Sequence, residues 1–159
     1  MHASTVIVEA MLVFLQVLPS RAVPTVPPVN GALAKRVDGE IMDYASLNCE
    51  KDWQKADASW DMLAEDIFDL RRVDGKPANG PGPNNCGRVS CRDGTAIWWC
   101  NDNPETKELD SFGTIADAAY VIYRECPLIA PRFDSMEFVV RGQVFLKDGW
   151  SVIVRGDEC

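Results

Sequence analysis

The sequence predicts an α+β fold, in which two helices pack on a four- to five-stranded antiparallel sheet stapled by three disulfides. Two segments carry apolar residues at helical spacing, and short β-prone segments with hairpin turns lie around them. The resulting order, (β)-α-β-β-α-β-β, favours two helices on one face of an antiparallel sheet. If the bracketed first strand forms, the arrangement is a split β-α-β. The third observation is that the chain of 159 residues contains six cysteines.

Two N-terminal segments are expected to be removed by processing. Residues 1–22 resemble a secretory signal peptide, with an apolar stretch at 6–18 that is too short to span a membrane and a cleavage point after Ala22. Residues 23–36 are rich in proline and end in the dibasic pair Lys35-Arg36, which indicates a short pro-segment. A buried N-terminal helix and an ordinary flexible arm are the alternatives. The prediction is a single mature domain, residues 37–159.

The domain is expected to begin with a short strand within 40–46, followed by a long helix over 52–72. The helix prediction depends on one continuous apolar stripe at spacings of three and four residues. The stripe consists of Trp53, Ala56, Trp60, Leu63, Ile67 and Leu70. Arg71 and Arg72 follow it, where positive charge is favourable near a helix C-terminus. The tryptophans of the stripe are expected in the core.

Residues 74–85 are predicted to form a loop, since glycine and proline exclude regular structure there. Residues 87–91 and 95–101 flank Arg92-Asp93-Gly94, a hairpin signal. The second of these strands is apolar on both faces at 97–100, which favours a central position in the sheet.

A second helix is predicted over 111–126, with Asp110 or Ser111 as its N-cap and Pro127 after its end. Residues 127–135 are expected to form a loop. The strands 138–146 and 150–155 then follow, joined by a hairpin turn at 147–149.

All six cysteines lie in the predicted mature domain, and an even number in a small secreted chain indicates a disulfide framework. They are Cys49, Cys86, Cys91, Cys100, Cys126 and Cys159. Three bridges are expected, with their connectivity left open. A zinc site is the alternative, but no pair has C-x₂-C spacing and no histidine is available beside them.

The charge of the chain narrows the classes of partner. There are 16 Lys and Arg residues against 24 Asp and Glu, a formal net charge of −8. Nucleic acid and anionic membranes are disfavoured, because both are bound through positive charge. Processing would make the domain more acidic, since it removes Arg21, Lys35 and Arg36 but only Glu9 among the acids.

The single histidine is His2, within the predicted signal peptide, so catalysis that needs an imidazole is not expected. Carboxylate pairs of the glycosidase kind remain possible. The candidates at strand ends and turns are Asp93, Asp102, Glu137 and Asp157. Turn-forming or solvated carboxylates are the simpler interpretation, so neither an enzyme nor a cofactor is predicted.

Residues 85–159 carry a distinctive pattern, with Asn85-Cys86-Gly87 and Ile97-Trp98-Trp99-Cys100-Asn101-Asp102 as its clearest strings and Cys159 as its end. The pattern resembles that of small secreted cysteine-rich proteins of plant-associated filamentous fungi. Many of those are candidate effectors, and some share a killer-toxin-like α/β sandwich. The resemblance carries no catalytic motif and has no counterpart for the first helix or for loop 74–85.

Two features are candidates for partner binding. One Trp of the 98–99 pair should face outward, Trp150 follows a hairpin turn, and loop 74–85 could present a recognition segment. The candidate residues are Trp98, Trp99, Trp150, Lys76, Pro77 and Asn79. The alternatives are that the rings belong to the core and that the loop is only a connector.

The resemblance and the loop together favour a secreted, monomeric effector in the host apoplast. It would bind an extracellular host plant protein and so act as a virulence factor. The favoured form of this hypothesis is that the bound protein is a protease, which is thereby inhibited. A carbohydrate-binding module that stacks chitin or glucan on Trp98 or Trp99 is a second hypothesis. A killer-type antimicrobial toxin is a third, which the negative charge disfavours.

Overall fold

A computed structural model describes residues 35–37, 40–49, 57–132 and 134–159; Ala22 and the predicted signal peptide lie outside them. The elements, in chain order, are β1 (Lys35–Val37), β2 (Glu40–Met42), β3 (Tyr44–Asn48), β4 (Ala58–Ser59), α1 (Trp60–Leu70), β5 (Ala78–Asn79), β6 (Asn85–Arg92), β7 (Thr95–Asn101), β8 (Lys107–Glu108), α2 (Phe112–Glu125), β9 (Pro127–Arg132), β10 (Ser135–Val140), β11 (Gly142–Leu146) and β12 (Trp150–Gly156).

The predicted fold class is confirmed, because both helices pack on a five-stranded antiparallel sheet. The strand order is β3-β11-β12-β7-β6. Trp99 of β7 stands opposite Val152 of β12, and Ile97 opposite Val154. These four side chains belong to the buried cluster that α1 and α2 cover. The β-branched and aromatic residues of β7 and β12 thus form the centre of the core.

Smaller sheets surround this centre. β10 pairs with β9 and, over two residues, with β4, which gives a three-stranded sheet in the order β4-β10-β9. β5 pairs with β8, and β1 pairs with β2. The dibasic pair Lys35-Arg36 therefore lies in β1, opposite Met42 and Ile41 of β2.

The first helix is shorter than predicted. α1 begins at Trp60, with the Ser59 hydroxyl accepting a hydrogen bond from the Met62 amide as N-cap. Ala58 and Ser59, expected in the helix, are extended and pair with Val140 and Val139 of β10. Trp53 and the rest of the predicted first turn lie outside the described residues. The periodic stripe did not reveal this distant strand partner.

Two expectations near the C-terminus are wrong. Residues 127–132 form strand β9 and not a loop; β9 is an edge strand, where Pro127 and Pro131 can be tolerated although they lack an N–H. Residues 138–146 are not one strand, because β10 ends at Val140 and β11 begins at Gly142 in a different sheet. Arg141 lies between them and binds Asp57 with an N–O distance of 2.7 Å.

The second helix and the disulfide framework agree with the sequence prediction. α2 begins after Ser111, whose hydroxyl accepts a hydrogen bond from the Thr114 amide. All six cysteines pair, in the connectivity Cys49–Cys126, Cys86–Cys100 and Cys91–Cys159. The bridges join the end of β3 to the end of α2, β6 to its neighbour β7, and β6 to the C-terminal residue.

Candidate functional site

Loop 74–85 crosses the edge of the sheet at the end of β7 and is held by a buried asparagine. Asn101 is 0% exposed. Its side-chain Nδ2 donates to the carbonyls of Asn79 at 3.4 Å, Gly80 at 2.8 Å and Glu105 at 2.6 Å. A buried amide satisfied by three carbonyls is costly to disrupt, because each group would be left without a partner. Asn101 therefore ties the middle of the loop to the segment that follows β7.

A second asparagine repeats this arrangement from the loop itself. The Nδ2 of Asn79 donates to the carbonyl of Asn85 at 3.2 Å and to that of Trp99 at 3.1 Å. The Leu109 amide donates to the Pro77 carbonyl at 3.0 Å, next to the short β5–β8 pairing. The loop is therefore tied to the strand end by side-chain bonds and to the following segment by main-chain bonds.

Gly82 allows the closest approach of the loop to the sheet. Its amide donates to the Asn103 carbonyl at 2.6 Å, and a Cβ at this position would overlap the main-chain carbonyl of Asn101. Only glycine can occupy such a site. We call residues 74–85, held in this way, the anchored loop. Its exposed side chains are Lys76, Ala78, Pro81, Pro83, Asn84 and Asn85, with Asp74 at its start.

The three loop residues predicted to bind a partner have different environments. Lys76 is 58% exposed and has only distant acidic neighbours, Glu108 at 3.9 Å and Asp110 at 3.8 Å. Pro77 is buried, and the side-chain amide of Asn79 donates to the carbonyls of Asn85 and Trp99. Pro77 and Asn79 therefore support the loop, whereas Lys76 has a surface that a partner can reach.

The neighbouring tryptophans of β7 face opposite sides of the sheet, as strand alternation predicts. Trp99 is 2% exposed and packs edge-on against Trp150, with ring centroids 6.5 Å apart. Trp150, a candidate because it follows a hairpin turn, is buried at 4% exposure. Trp98 is half-buried on the other face, and the guanidinium carbons of Arg155 and Arg88 lie 4.9 and 5.6 Å from its ring centroid.

The predicted carboxylates do not form one cluster, although the Asp157 amide donates to the Gly94 carbonyl, next to Asp93, at 3.0 Å. Asp93 precedes β7 and Asp102 follows it, which separates them by the length of a seven-residue strand, about 23 Å. Asp102 accepts hydrogen bonds from the Ser151 hydroxyl at 3.0 Å and the Asn84 amide at 3.1 Å. Asp157 lies 3.4 Å from the Arg155 guanidinium, and Glu137 is exposed on β10. Asp102 and Asp157 thus have structural partners.

The described residues contain no group of three or more His, Cys, Asp or Glu side chains placed to hold a metal ion. No helix in this part of the chain is long and apolar enough to cross a membrane.

The structure also contains a groove between the two helices, which was not predicted from the sequence. The groove has a volume of about 220 Å³ and is lined by Ala64, Ile67, Phe68, Arg71, Tyr120 and Tyr123. We call it the aromatic groove. Tyr123 stacks on Trp60 at 4.3 Å and on Tyr120 at 5.7 Å between ring centroids. The sequence feature that could have indicated this groove is the pair Tyr120 and Tyr123, because residues three apart lie on the same side of a helix.

Comparison with known proteins finds no match to the chain among protein-family models, curated proteins or solved structures. The chain is thus a small cysteine-rich α+β protein with three disulfides. Such a framework is typical of extracellular proteins, since disulfides persist in oxidising compartments.

Proposed function

We propose that this chain is a secreted effector that binds an extracellular host protein through its anchored loop, with an apoplastic plant protease as the favoured target. The observation that carries the proposal is the loop itself, an exposed segment held by the buried Asn101 and by Asn79. A loop that is already ordered loses little conformational entropy on binding. The resemblance of residues 85–159 to secreted fungal effectors supports the same class of protein.

The exposed chemistry of the loop suits recognition of a protein. Lys76 offers a cation, and Pro81 and Pro83 offer rigid apolar contacts, while the main chain behind them is fixed. A protease cleft binds extended segments through main-chain and side-chain contacts, and a rigid segment resists the rearrangement that cleavage requires. Three disulfides would also limit unfolding in a protease-rich environment.

The first prediction tests the loop by protease inhibition. The secreted protein is added to plant apoplastic fluid, and residual protease activities are measured with activity-based probes and by co-precipitation. We expect at least one protease to be retained and slowed. Lys76→Ala and Pro81→Ala should each weaken inhibition about tenfold, as contact residues at the centre of an interface do.

The matched control is Lys147→Ala, since Lys147 is 50% exposed on another hairpin turn. Equal loss in the Lys147 and Lys76 variants would point to charge in general and not to the loop. If no host protein is retained and no protease is slowed, the proposed function is wrong.

A further inference from the structure

The aromatic groove runs along the contact between the two helices and has a definite length. Just beyond one end, Trp60 at the start of α1 stacks on the lining residue Tyr123 near the end of α2. At the other end, the Arg71 guanidinium carbon lies 5.5 Å from the Tyr120 ring centroid. The lining residues on α1 run from Ala64 to Arg71, a length of about 10 Å at the helical rise of ~1.5 Å per residue.

The walls of the groove are aromatic and its floor is shallow. Phe68 is 54% exposed and forms one rim, where the Arg72 guanidinium carbon lies 3.7 Å from its ring centroid. Tyr120 and Tyr123 form the other wall, and the small side chain of Ala64 lies among the lining residues. The volume of about 220 Å³ is below the range of sites that enclose a small molecule, roughly 300 Å³ and above.

The stacking of the rings bears on which ligand the groove can take. Trp60 and Tyr123 are inclined by only 20°, and Tyr123 and Tyr120 by 18°, so each ring covers a face of its neighbour. A sugar stacks on an open ring face. The ring faces within this stack are therefore closed to a sugar.

We propose that the aromatic groove binds a proline-rich segment of a partner protein in the polyproline II conformation, with a basic residue of that segment at the Trp60 end. Polyproline II rises about 3.1 Å per residue, so about three residues would match the length of the groove. Proline-rich segments dock on aromatic-lined grooves in this way because they are already extended and lose little entropy on binding.

The charges at the Trp60 end decide which segment fits. Asp61 is exposed there and close enough to Tyr123 to act on it electrostatically. The chain as a whole carries a formal net charge of −8, which favours a basic partner. Arg71 is held at the opposite end by Asp117, with an N–O distance of 2.8 Å. A ligand cation would therefore bind beside Asp61 and not beside Arg71.

A polyproline II ligand also needs hydrogen-bond donors, because its carbonyls have no internal partners. Burial, and then Tyr120 and Asp61, raise the pKa of Tyr123 above its usual value. The Tyr123 hydroxyl therefore keeps its proton across the physiological range and can donate to a ligand carbonyl.

The second prediction tests this site with synthetic peptides and the full secreted protein. Three ten-residue peptides are titrated calorimetrically: a proline-rich peptide with a flanking Arg, the same peptide with Glu in place of Arg, and a version with Gly in place of Pro. We expect the Arg peptide to bind most tightly and the Gly peptide not to bind. Asp61→Asn should weaken binding of the Arg peptide about twofold to fivefold, as an exposed ion pair does.

Substitutions in the groove separate recognition from loss of folding. Tyr120→Ala should weaken binding about tenfold or more, while Tyr123→Phe keeps the ring and tests the hydroxyl alone. Ile129→Ala is the matched control, since Ile129 is 59% exposed on β9, does not line the groove and should leave binding unchanged. Circular dichroism in the near ultraviolet checks that each variant folds.

Several outcomes would overturn the proposal. They are the absence of binding by any proline-rich peptide, equal binding of the Gly peptide, and equal losses in Tyr120→Ala and Ile129→Ala. Pelleting with chitin or glucan that Tyr120→Ala abolishes would assign the groove to a glycan, and self-association that the same variant abolishes would assign it to a second copy. Protease inhibition by the anchored loop does not depend on Tyr120, so the two proposals fail separately.

Discussion

Asp66 is a buried acid on α1 that faces β6, and it makes stability depend on pH. The residue is 1% exposed, and its nearest cation is the Arg92 guanidinium at 3.8 Å. Burial is the main cause that raises the pKa of Asp66 above 3.8; Asp69 and Glu65 add to it, while Ser90 and Arg92 partly offset it. The ionised form is thus less favourable in the folded chain than in the unfolded one.

The third prediction follows from the sign of this shift. A carboxyl whose pKa is raised on folding contributes stability that is fully present below its unfolded pKa of 3.8 and is lost as the pH rises through the folded pKa. Asp66→Asn should match the wild-type free energy of unfolding at pH 3.5 and exceed it at pH 7. Urea denaturation across this range measures the difference.

A matched substitution identifies the source of that difference. Glu65→Gln changes an exposed acid one position away, which is 3.5 Å from Arg92, and should leave most of the pH dependence in place. A wild-type stability that rises from pH 4 to pH 7, and falls when Asp66 is replaced, would contradict the argument.

Individual elements were predictable where their signals are local. α2 is bounded by a capping serine and a following proline, and β6–β7 is bounded by a turn, so neighbours in sequence suffice to define them. β9 pairs with its neighbour β10, and its two prolines argued against a strand. β4 is different, because its partner β10 is distant in sequence. Propensity is overridden in such cases by the tertiary partner, which a single sequence does not reveal.

The candidate site was predictable to the same extent. Glycine and proline indicated loop 74–85, but Asn101 looked like an ordinary turn residue after β7. Its role depends on three carbonyls from two other segments, at positions 79, 80 and 105. The aromatic groove likewise requires that Trp60 and Tyr123, from two helices, lie side by side. The composition of a loop can be read from neighbouring residues. The bonds that anchor the loop and the groove between the helices depend on how distant segments pack, so the sequence does not reveal them.

The fourth prediction concerns the anchored loop as an element. Gly82→Ala places a methyl group against the Asn101 carbonyl, so the loop must shift away from the sheet. We expect a loss of about 1–3 kcal/mol in the free energy of unfolding, as in other overpacked sites. Amide exchange of loop residues should accelerate, because the bonds from Asn101 are weakened.

Gly80→Ala is the control within the same loop, since a Cβ there meets the side chain of Asn85 at 3.1 Å and no main-chain atom, and shifting that side chain disturbs one exposed bond to the Pro81 carbonyl. Its cost should be well below that of Gly82→Ala. Equal costs at the two positions would show that close approach to Asn101 is not what Gly82 provides.

At the scale of the whole molecule, the disulfides divide into one local and two long-range bridges. Cys86–Cys100 joins adjacent strands over a sequence separation of 14. Cys91–Cys159 spans 68 residues and fixes the C-terminus, and Cys49–Cys126 spans 77 and joins the sheet edge at β3 to the end of α2. The long bridges therefore restrict most of the described chain, while the short one reinforces a hairpin that main-chain hydrogen bonds already define.

The fifth prediction is that removing the bridges has unequal effects. In the loop-entropy account, a cross-link over about 15 residues stabilises by ~3 kcal/mol and one over about 77 residues by ~4.5 kcal/mol. Replacing Cys49 and Cys126 with Ala should therefore reduce the free energy of unfolding by about 1.5 kcal/mol more than replacing Cys86 and Cys100. Guanidinium denaturation of both double variants gives the comparison, with the remaining bridges verified by mass spectrometry.

The two variants also differ in what they disturb in the folded state. Each of these two bridges has one buried cysteine, Cys126 at 2% and Cys100 at 1% exposed, but Cys86 is exposed at the start of β6 next to the anchored loop. Losing the short bridge should loosen the loop and weaken protease inhibition more than it lowers stability, because Cys86 follows Asn85 directly. Losing the long bridge should lower stability with little effect on inhibition by the protein that remains folded. The reverse pattern would mean that the loop is held by the framework as a whole and not by the hydrogen bonds of Asn101 and Asn79.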